Sequence, residues 1–381
     1  MSGGRPEVSR RWRLWVHALD RTGPPVLART VARWLGDHRP ADEVEVLAFR
    51  GGPLAADLDA LGPVTVVLDD EEPWDAAAPN PERATVLRRR LEVLRPVDAN
   101  LLVSVAAGQA LPLVGAGVGP VVTWVVEVGE DLRWLDADVG LVERTDAWWA
   151  GSRASADELE HRGVAPGGCR LVPEMVAAPR AVTGEERQRC REALGAGPDD
   201  VVVLGAGIGT RRKGLDLFAE VAGLARAGDH RVRAAWLGGT SDPLHPRVAG
   251  ECERLGRDDL RLLPAVPELE PWLAAADVFL HTARADAFPL VCLHAAAQGT
   301  PVVTFSGTGG TTEMLGPHLR GAPFPDTVAL AEEVVALAAT GERRRALGDD
   351  QRRWVSSRFL APAAGPVVLR ELDRVADGVV A

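Results

Sequence analysis

Short apolar runs alternate with amphipathic helical patterns along the whole of this 381-residue chain. In the first half, strand patterns fit residues 14–18, 44–48, 64–68, 101–105, 121–126, 147–150 and 170–172, with helices at 26–38, 81–94, 131–134 and 154–161. The stretch 176–185 reads as a linker. A second series then places strands at 201–205, 233–238, 260–263, 278–281 and 301–305, with helices between them. Strands that alternate with crossover helices form parallel sheets covered on both faces. The chain is therefore expected to be α/β, with two doubly wound Rossmann-like domains facing across a cleft, where such sheets bind ligands. The expected boundaries are 1–178 for the N-terminal domain and 179–359 for the C-terminal one. A last helix is expected over 349–359, and the tail 360–381 is expected to return to the first domain.

Composition removes several function classes. With 46% hydrophobic and 25% charged residues the profile is that of a globular chain rather than a disordered one. A net charge of −11 argues against a nucleic-acid partner, which needs a basic face. Cys169, Cys190, Cys252 and Cys292 have no CxxC or CxxH spacing, so neither a zinc site nor a disulfide framework is expected. Free thiols in a cytoplasmic protein are the simpler reading. The first residues lack the apolar core of a signal peptide. Residues 101–126 carry no charge, but Gly108, Pro112, Gly115, Gly117, Gly119 and Pro120 interrupt them. Two buried strands joined by a short segment fit better than a membrane helix.

Lys213 is the only lysine among 43 basic residues. It lies in Arg211-Arg212-Lys213-Gly214, after the apolar run 201–204 and a turn containing Gly205, Gly207 and Gly209. A helical pattern (Leu215, Phe218, Ala219, Val221, Ala222) follows. Strand, glycine turn, cation and helix start together make an anion site, most naturally for phosphate. The plain alternative is a solvated loop.

Further along, Asp286-Ala287-Phe288-Pro289-Leu290 leads into a helix carrying His294, which ends at Ala295-Ala296-Ala297-Gln298-Gly299-Thr300-Pro301-Val302-Val303. Pro289 suits a first helical turn and Gly299 a stop. Leu290, Leu293, His294 and Ala297 share a face, which looks the same way as the loop carrying Asp286. This arrangement resembles the family 4 glycosyltransferases of the GT-B fold. Their signature is acid-Gly-Phe-Pro-Leu, a second acid eight positions after the first, and then Ala-x-x-x-Gly-x-Pro-Val-Val. Residues 207–222 are similar to the family's diphosphate-binding turn. Asp20-Arg21-Thr22-Gly23-Pro24-Pro25 is similar to its N-terminal glycine loop, and Trp124-Val125-Val126-Glu127 to its Trp-Ile-His-Glu stretch.

The resemblance implies a retaining glycosyltransferase that takes a sugar from a nucleotide-diphosphate sugar, UDP- or GDP-linked, and needs neither a metal nor another cofactor. The acceptor would be a small molecule, a glycan or a lipid. Lys213, with Arg211 or Arg212, would stabilise the departing diphosphate, since donors aimed at developing charge are usually the largest catalytic contribution. Gly209 would lie in the diphosphate turn, and the amides of Ala287, Phe288, Pro289 and Leu290 would mark the donor loop, although proline itself has no N–H. Val266 joins the donor set. Gly23 would let the first-domain loop approach the diphosphate without a side chain. His294 stands where the family has its ribose-binding second acid, and its neutral ring offers one acceptor nitrogen. Val126 stands in place of the family's cleft histidine. Asp286 and Glu127 are then the carboxylates available near the reacting carbon. The alternative from another class is a non-catalytic GT-B-like sugar-nucleotide binder or partner subunit.

Other patterns point less far. Gly205-Ala206-Gly207-Ile208-Gly209-Thr210 lacks the third glycine of a dinucleotide fingerprint. Asp69-Asp70-Glu71-Glu72 reads as a solvated acidic turn, and Asp136 with Asp138 as a loop rather than a metal pair. His281, Cys292 and His294 do not share one helical face, which argues against a metal site. Arg83, Arg88, Arg89 and Arg90 read as a solvated face, the alternative being a contact with an anionic acceptor or a membrane surface. Of the eight tryptophans in the first half, Trp12, Trp15, Trp34, Trp74, Trp124, Trp134, Trp148 and Trp149, most are expected in the core, the alternative being a surface that stacks on a sugar or an apolar acceptor. Gly307 to Glu313 reads as a glycine-rich turn or a further phosphate contact.

Overall fold

A computed structural model of the protein describes residues 9–68, 81–113, 117–136, 140–164, 168–239 and 242–379. The acidic turn 69–72, Trp74, Asp138 and the side chains of Trp134, Asp136 and Arg83 lie outside what is described. The chain divides into two compact units, Met1–Met175 with Ala361–Ala381, and Val176–Leu360. The sequence placed the seams at 178/179 and 359/360. Val176 already belongs to the second unit, because its amide donates to the Phe359 carbonyl (3.0 Å) and it pairs with Leu360.

Unit 1 runs β1 (Arg11–Ala18), α1 (Gly23–His38), β2 (Glu43–Arg50), α2 (Ala55–Asp59), β3 (Val64–Val66), α3 (Pro81–Leu91), β4 (Ala99–Val103), a 3₁₀ segment (Val105–Leu113) and β5 (Val121–Val125). A 3₁₀ turn (Gly129–Leu132), α4 (Arg133–Asp136), α5 (Leu141–Arg144), β6 (Ala147–Ala150), α6 (Arg153–His161) and β7 (Cys169–Leu171) follow. Its sheet is parallel, in the order β3-β2-β1-β4-β5-β6-β7. Trp12, Trp15, Trp124, Trp148 and Trp149 are buried.

Unit 2 runs α7 (Gly184–Ala193), β8 (Val201–Ala206), α8 (Leu215–Gly228), β9 (Val232–Leu237), α9 (Leu244–Arg254), β10 (Leu260–Leu263), α10 (Glu270–Ala275) and β11 (Val278–His281). It continues through α11 (Leu290–Gln298), β12 (Val302–Ser306), α12 (Thr311–Leu315), a 3₁₀ turn (Gly316–His318), β13 (Gly321–Pro323), α13 (Thr327–Ala338) and α14 (Gly341–Ser356). The helix α15 (Ala361–Ala376) then packs on α1 of unit 1. The second sheet, also parallel, has the order β10-β9-β8-β11-β12-β13. Phe218, Trp236, Leu280 and Phe305 lie in its core.

Four departures from the sequence reading have plain causes. β1 begins at Arg11 rather than residue 14, because Arg13 is buried with its guanidinium on Glu45 (2.6 Å), Asn100 (3.1 Å) and the Arg95 carbonyl (2.7 Å). α1 begins at Gly23 rather than 26, since Pro24 and Pro25 fit the first turn, where a missing N–H costs nothing. α14 begins at Gly341 rather than 349. Thr340 caps it by accepting from the Arg343 amide (3.4 Å), and Gly348 lets it pass the Gly299 carbonyl, which a Cβ there would meet at 2.1 Å. The tail is a full helix despite Pro362 and Pro366, because its apolar face (Ala364, Val368, Leu372, Val375) is buried.

Candidate functional site

In both sheets the strand order reverses beside the first strand of the unit, between β1 and β4 and between β8 and β11. Ligands of doubly wound sheets bind outside the carboxyl ends of the strands at such a point. In unit 2 that point is occupied by the turn after β8 and the loop after β11. These are the two segments the sequence singled out, 73 residues apart at their closest bond.

The turn is held in one conformation. Gly214 has φ of +74°, and a Cβ there would stand 2.0 Å from the Thr282 carbonyl oxygen, so only glycine fits. Thr282 Oγ1 donates to the Gly214 carbonyl (2.9 Å), and the Lys213 amide donates to Thr210 Oγ1 (3.2 Å). Gly209 is buried against Leu215 and His245. Arg212 donates to the Ala285 carbonyl (2.9 Å), and the Arg284 amide donates back to the Arg212 carbonyl (2.8 Å). The Arg284 guanidinium forks onto Asp216 (2.7 and 2.8 Å) and also donates to the Arg211 carbonyl (2.7 Å). Arg211 itself is exposed. Turn and loop are thus one rigid piece.

The Lys213 ammonium donates to Asp286 Oδ2 at 2.5 Å, with the carboxylate buried and the lysine partly open to solvent. Burial alone would raise the Asp286 carboxyl, but Lys213, His281 and Arg212 outweigh it and hold the group below its ordinary range. The Asp286 backbone is fixed from the other side. Its amide donates to the Thr308 carbonyl (2.8 Å), and its carbonyl accepts from the Gly310 amide (3.0 Å). The glycine-rich stretch 307–313 therefore braces Asp286. A Cβ on Gly309 would meet the Asp286 carbonyl oxygen at 2.0 Å.

Ala287, Phe288, Pro289 and Leu290 are buried, with Phe288 edge-on to Phe359 (5.1 Å between centroids). Pro289 caps α11 rather than sitting in its first turn, and Gly299 ends the helix at φ +88°. The amides of Leu290 and Val291 stand in the first helical turn, where no intrahelical acceptor exists. His294 is half-buried on α11, and Val266 is half-buried in the loop after β10. The sequence reading missed His281 and Arg284. An internal polar residue at the end of an apolar strand was the available signal for the first.

Two predicted site residues belong to unit 1. Gly23 is the exposed first residue of α1. Glu127 follows β5, and both its oxygens accept backbone amides, Oε1 from Val105 (3.1 Å) and Oε2 from Val126 (2.9 Å). It ties the end of β5 to the turn after β4, where Ser104 holds a φ of +102° that non-glycine residues rarely adopt. Burial pushes the Glu127 carboxyl up to about 7, against the lowering effect of hydrogen bonds from Ser104, Val126 and Val105. The folded state therefore keeps a proton that the unfolded chain has lost, and stability falls as pH rises from about 4.5 to about 7. The stability of the parent minus that of Glu127→Gln is expected to drop across this window by on the order of 2–3 kcal/mol, then level off. A difference flat from pH 4 to 8 in denaturant titrations would contradict this.

All four cysteines are free thiols, three of them buried. Among the described residues no group of three or more His, Cys, Asp or Glu side chains is placed to hold a metal ion, and no helix is long and apolar enough to cross a membrane. Arg88, Arg89 and Arg90 are exposed on α3.

Residues 198–340, which contain the whole turn and loop, match the family described as glycosyl transferases group 1. The second unit is a glycosyl transferase group 1 domain. It is of the family 4 type that the Asp286–Leu290 motif resembles. D-inositol 3-phosphate glycosyltransferase of Paenarthrobacter aurescens is 32% identical over 199 residues, 49% of this chain and 47% of the relative. The enzyme of that name from Xylanimonas cellulosilytica is 31% identical over 239 residues, 58% of this chain and 54% of the relative. The chain spans about half the length of the curated relatives it matches.

Among solved structures, Anabaena Alr3699/HepE in complex with UDP and glucose superposes with a TM-score of 0.80 at 16% identity, covering 96% of this chain and 100% of that one. The sucrose-phosphate synthase of Thermosynechococcus elongatus gives 0.77 at 18%, covering 97% and 100%. The fold of the whole chain is GT-B. The group 1 domain accordingly places Lys213, Arg212 and Asp286 together at its switch point, with the first-turn amides of α11 following directly in the chain.

Proposed function

We propose that this protein is a glycosyltransferase that moves a sugar from a nucleotide-diphosphate sugar to an acceptor, with retention of configuration and without a metal. The observation that carries the reading is the Lys213–Asp286 pair, fixed between a glycine turn and the open amides of a helix start. Lys213 and Arg212 supply cations where negative charge grows as the sugar–phosphate bond breaks, so they favour the transition state over the ground state. Asp286 is a positioning residue in this scheme, since its carboxylate is committed to Lys213. Glu127 is likewise committed to backbone amides, so it shapes its turn rather than meeting the sugar. UDP is the favoured nucleotide, because the structurally similar Alr3699/HepE was solved with it. Val266 and His294 complete the donor set, with His294 at the ribose. Gly23 is assigned to the same donor set. The relatives' names make inositol 3-phosphate the first acceptor to try, and the cytoplasm is the proposed location.

A thermal-shift series with UDP-, GDP-, ADP- and TDP-glucose in the presence of EDTA tests the donor half. One donor at about a hundred times its Kd is expected to add about 2.7 kcal/mol of stability. No shift with any of the four would refute the donor assignment, and a shift that EDTA abolishes would refute metal independence.

A further inference from the structure

His281, at the carboxyl end of β11, is a buried histidine whose Nε2 makes no hydrogen bond among the described residues and stands 3.5 Å from Asp286 Oδ2. The same oxygen receives the Lys213 ammonium at 2.5 Å. One buried carboxylate oxygen therefore lies within reach of two basic groups. Burial holds the imidazole down to about 4 against the pull of Asp286, and Lys213 and Arg212 lower it further, so it is neutral in the free protein. These three are the charged groups that face it. Cys292 of α11 lies against the same Asp286–Lys213 pair, and burial pushes its thiol well up, so it stays protonated and takes no part.

A bound diphosphate changes this balance. It places negative charge beside Lys213 and competes with Asp286 for the ammonium. A buried carboxylate left without a cation is strongly disfavoured, and Nε2 of His281 stands nearest to replace it. We propose that donor binding is proton-coupled: as Lys213 turns to the diphosphate, one proton from solvent binds Nε2 of His281, which closes an imidazolium–carboxylate pair with Asp286. His281 is then a positioning residue that keeps Asp286 ordered while Lys213 works. The inference rests on reading Lys213 as the diphosphate ligand.

Isothermal titration of the full chain with UDP-glucose, in buffers of equal pH and different ionisation enthalpy, counts the protons taken up. This donor suits the count because its diphosphate is esterified at both ends and does not itself titrate near neutrality. Uptake is expected to approach one proton per donor near pH ~6 and to fade toward pH ~8. Where uptake is complete, affinity should fall about tenfold for each unit rise in pH. His281→Asn should bind the donor without uptake and with affinity independent of pH. Nitrogen NMR of the histidine ring in the unaltered protein gives a second readout, in which Nε2 of His281 moves to the imidazolium position on adding UDP-glucose. Donor binding without proton uptake, an unmoved His281 resonance, or uptake that persists in His281→Asn would overturn the inference and leave the Lys213 reading standing. No binding of UDP-, GDP-, ADP- or TDP-glucose would overturn both.

Discussion

Replacing Lys213 with alanine is expected to lower sugar transfer by about 10²–10³-fold, the usual cost of losing one pre-ordered donor at a developing charge. The loss should fall mainly on kcat, because negative charge on the diphosphate grows as the sugar leaves. Arg254→Ala is the matched control. Its side chain is 69% exposed on α9, paired among the described residues with the neighbouring Glu251 at 3.3 Å, and it should change transfer less than twofold. Arg257, which also lies outside every sequence motif, is a poor control. Its guanidinium forks onto the buried Asp259 (2.7 and 2.8 Å), so removing it disturbs packing. Equal effects of Lys213→Ala and Arg254→Ala would remove the phosphate role from Lys213.

The second large effect is on stability. Lys213→Met leaves the Asp286 carboxylate buried without its principal cation, and breaking a buried pair costs about 3–5 kcal/mol. Partial exposure of the lysine puts the expected loss near the lower end, about 3 kcal/mol. Adding Asp286→Asn to Lys213→Met removes the stranded charge and should recover most of that loss, whereas independent sites would give additive losses. The double variant should nevertheless remain inactive. Denaturant titrations at pH 8 read the cycle most cleanly, since lower pH would let His281 or the carboxyl itself take a proton. Simple additivity would show that the 2.5 Å contact carries no coupling energy.

The fold was legible because the central strands of both sheets contain continuous apolar runs, as in 201–204 and 121–125, and the crossover helices carry a 3.6-residue stripe. The edges were less so. A buried Arg13 extends β1 against hydropathy, and the polar start of α14 is set by Thr340 and by a close pass at Gly348. The prolines of α15 disfavour a helix interior, yet one apolar face buried on unit 1 outweighs them. At the site, Lys213 and the Asp286 loop stood out by residue type and spacing. What spacing could not give is that they meet. The ion pair, the Arg212–Ala285 bond and the Arg284–Asp216 fork each join residues about 70 positions apart through the order of the strands. Glu127 shows the opposite limit. A carboxylate beside a motif looks available for chemistry until its two oxygens are found on the Val105 and Val126 amides.

Proton NMR of the anomeric signals, with the protein, UDP-glucose and inositol 3-phosphate in one tube, reads sugar transfer itself. Loss of the UDP-glucose signal, an equal release of UDP and a new α-anomeric product signal are expected, with all three suppressed about 10²–10³-fold in Lys213→Ala. Tight binding of the donor, left intact with this and every other acceptor tried, would contradict the transferase reading and mark the chain as a sugar-nucleotide binder that performs no transfer.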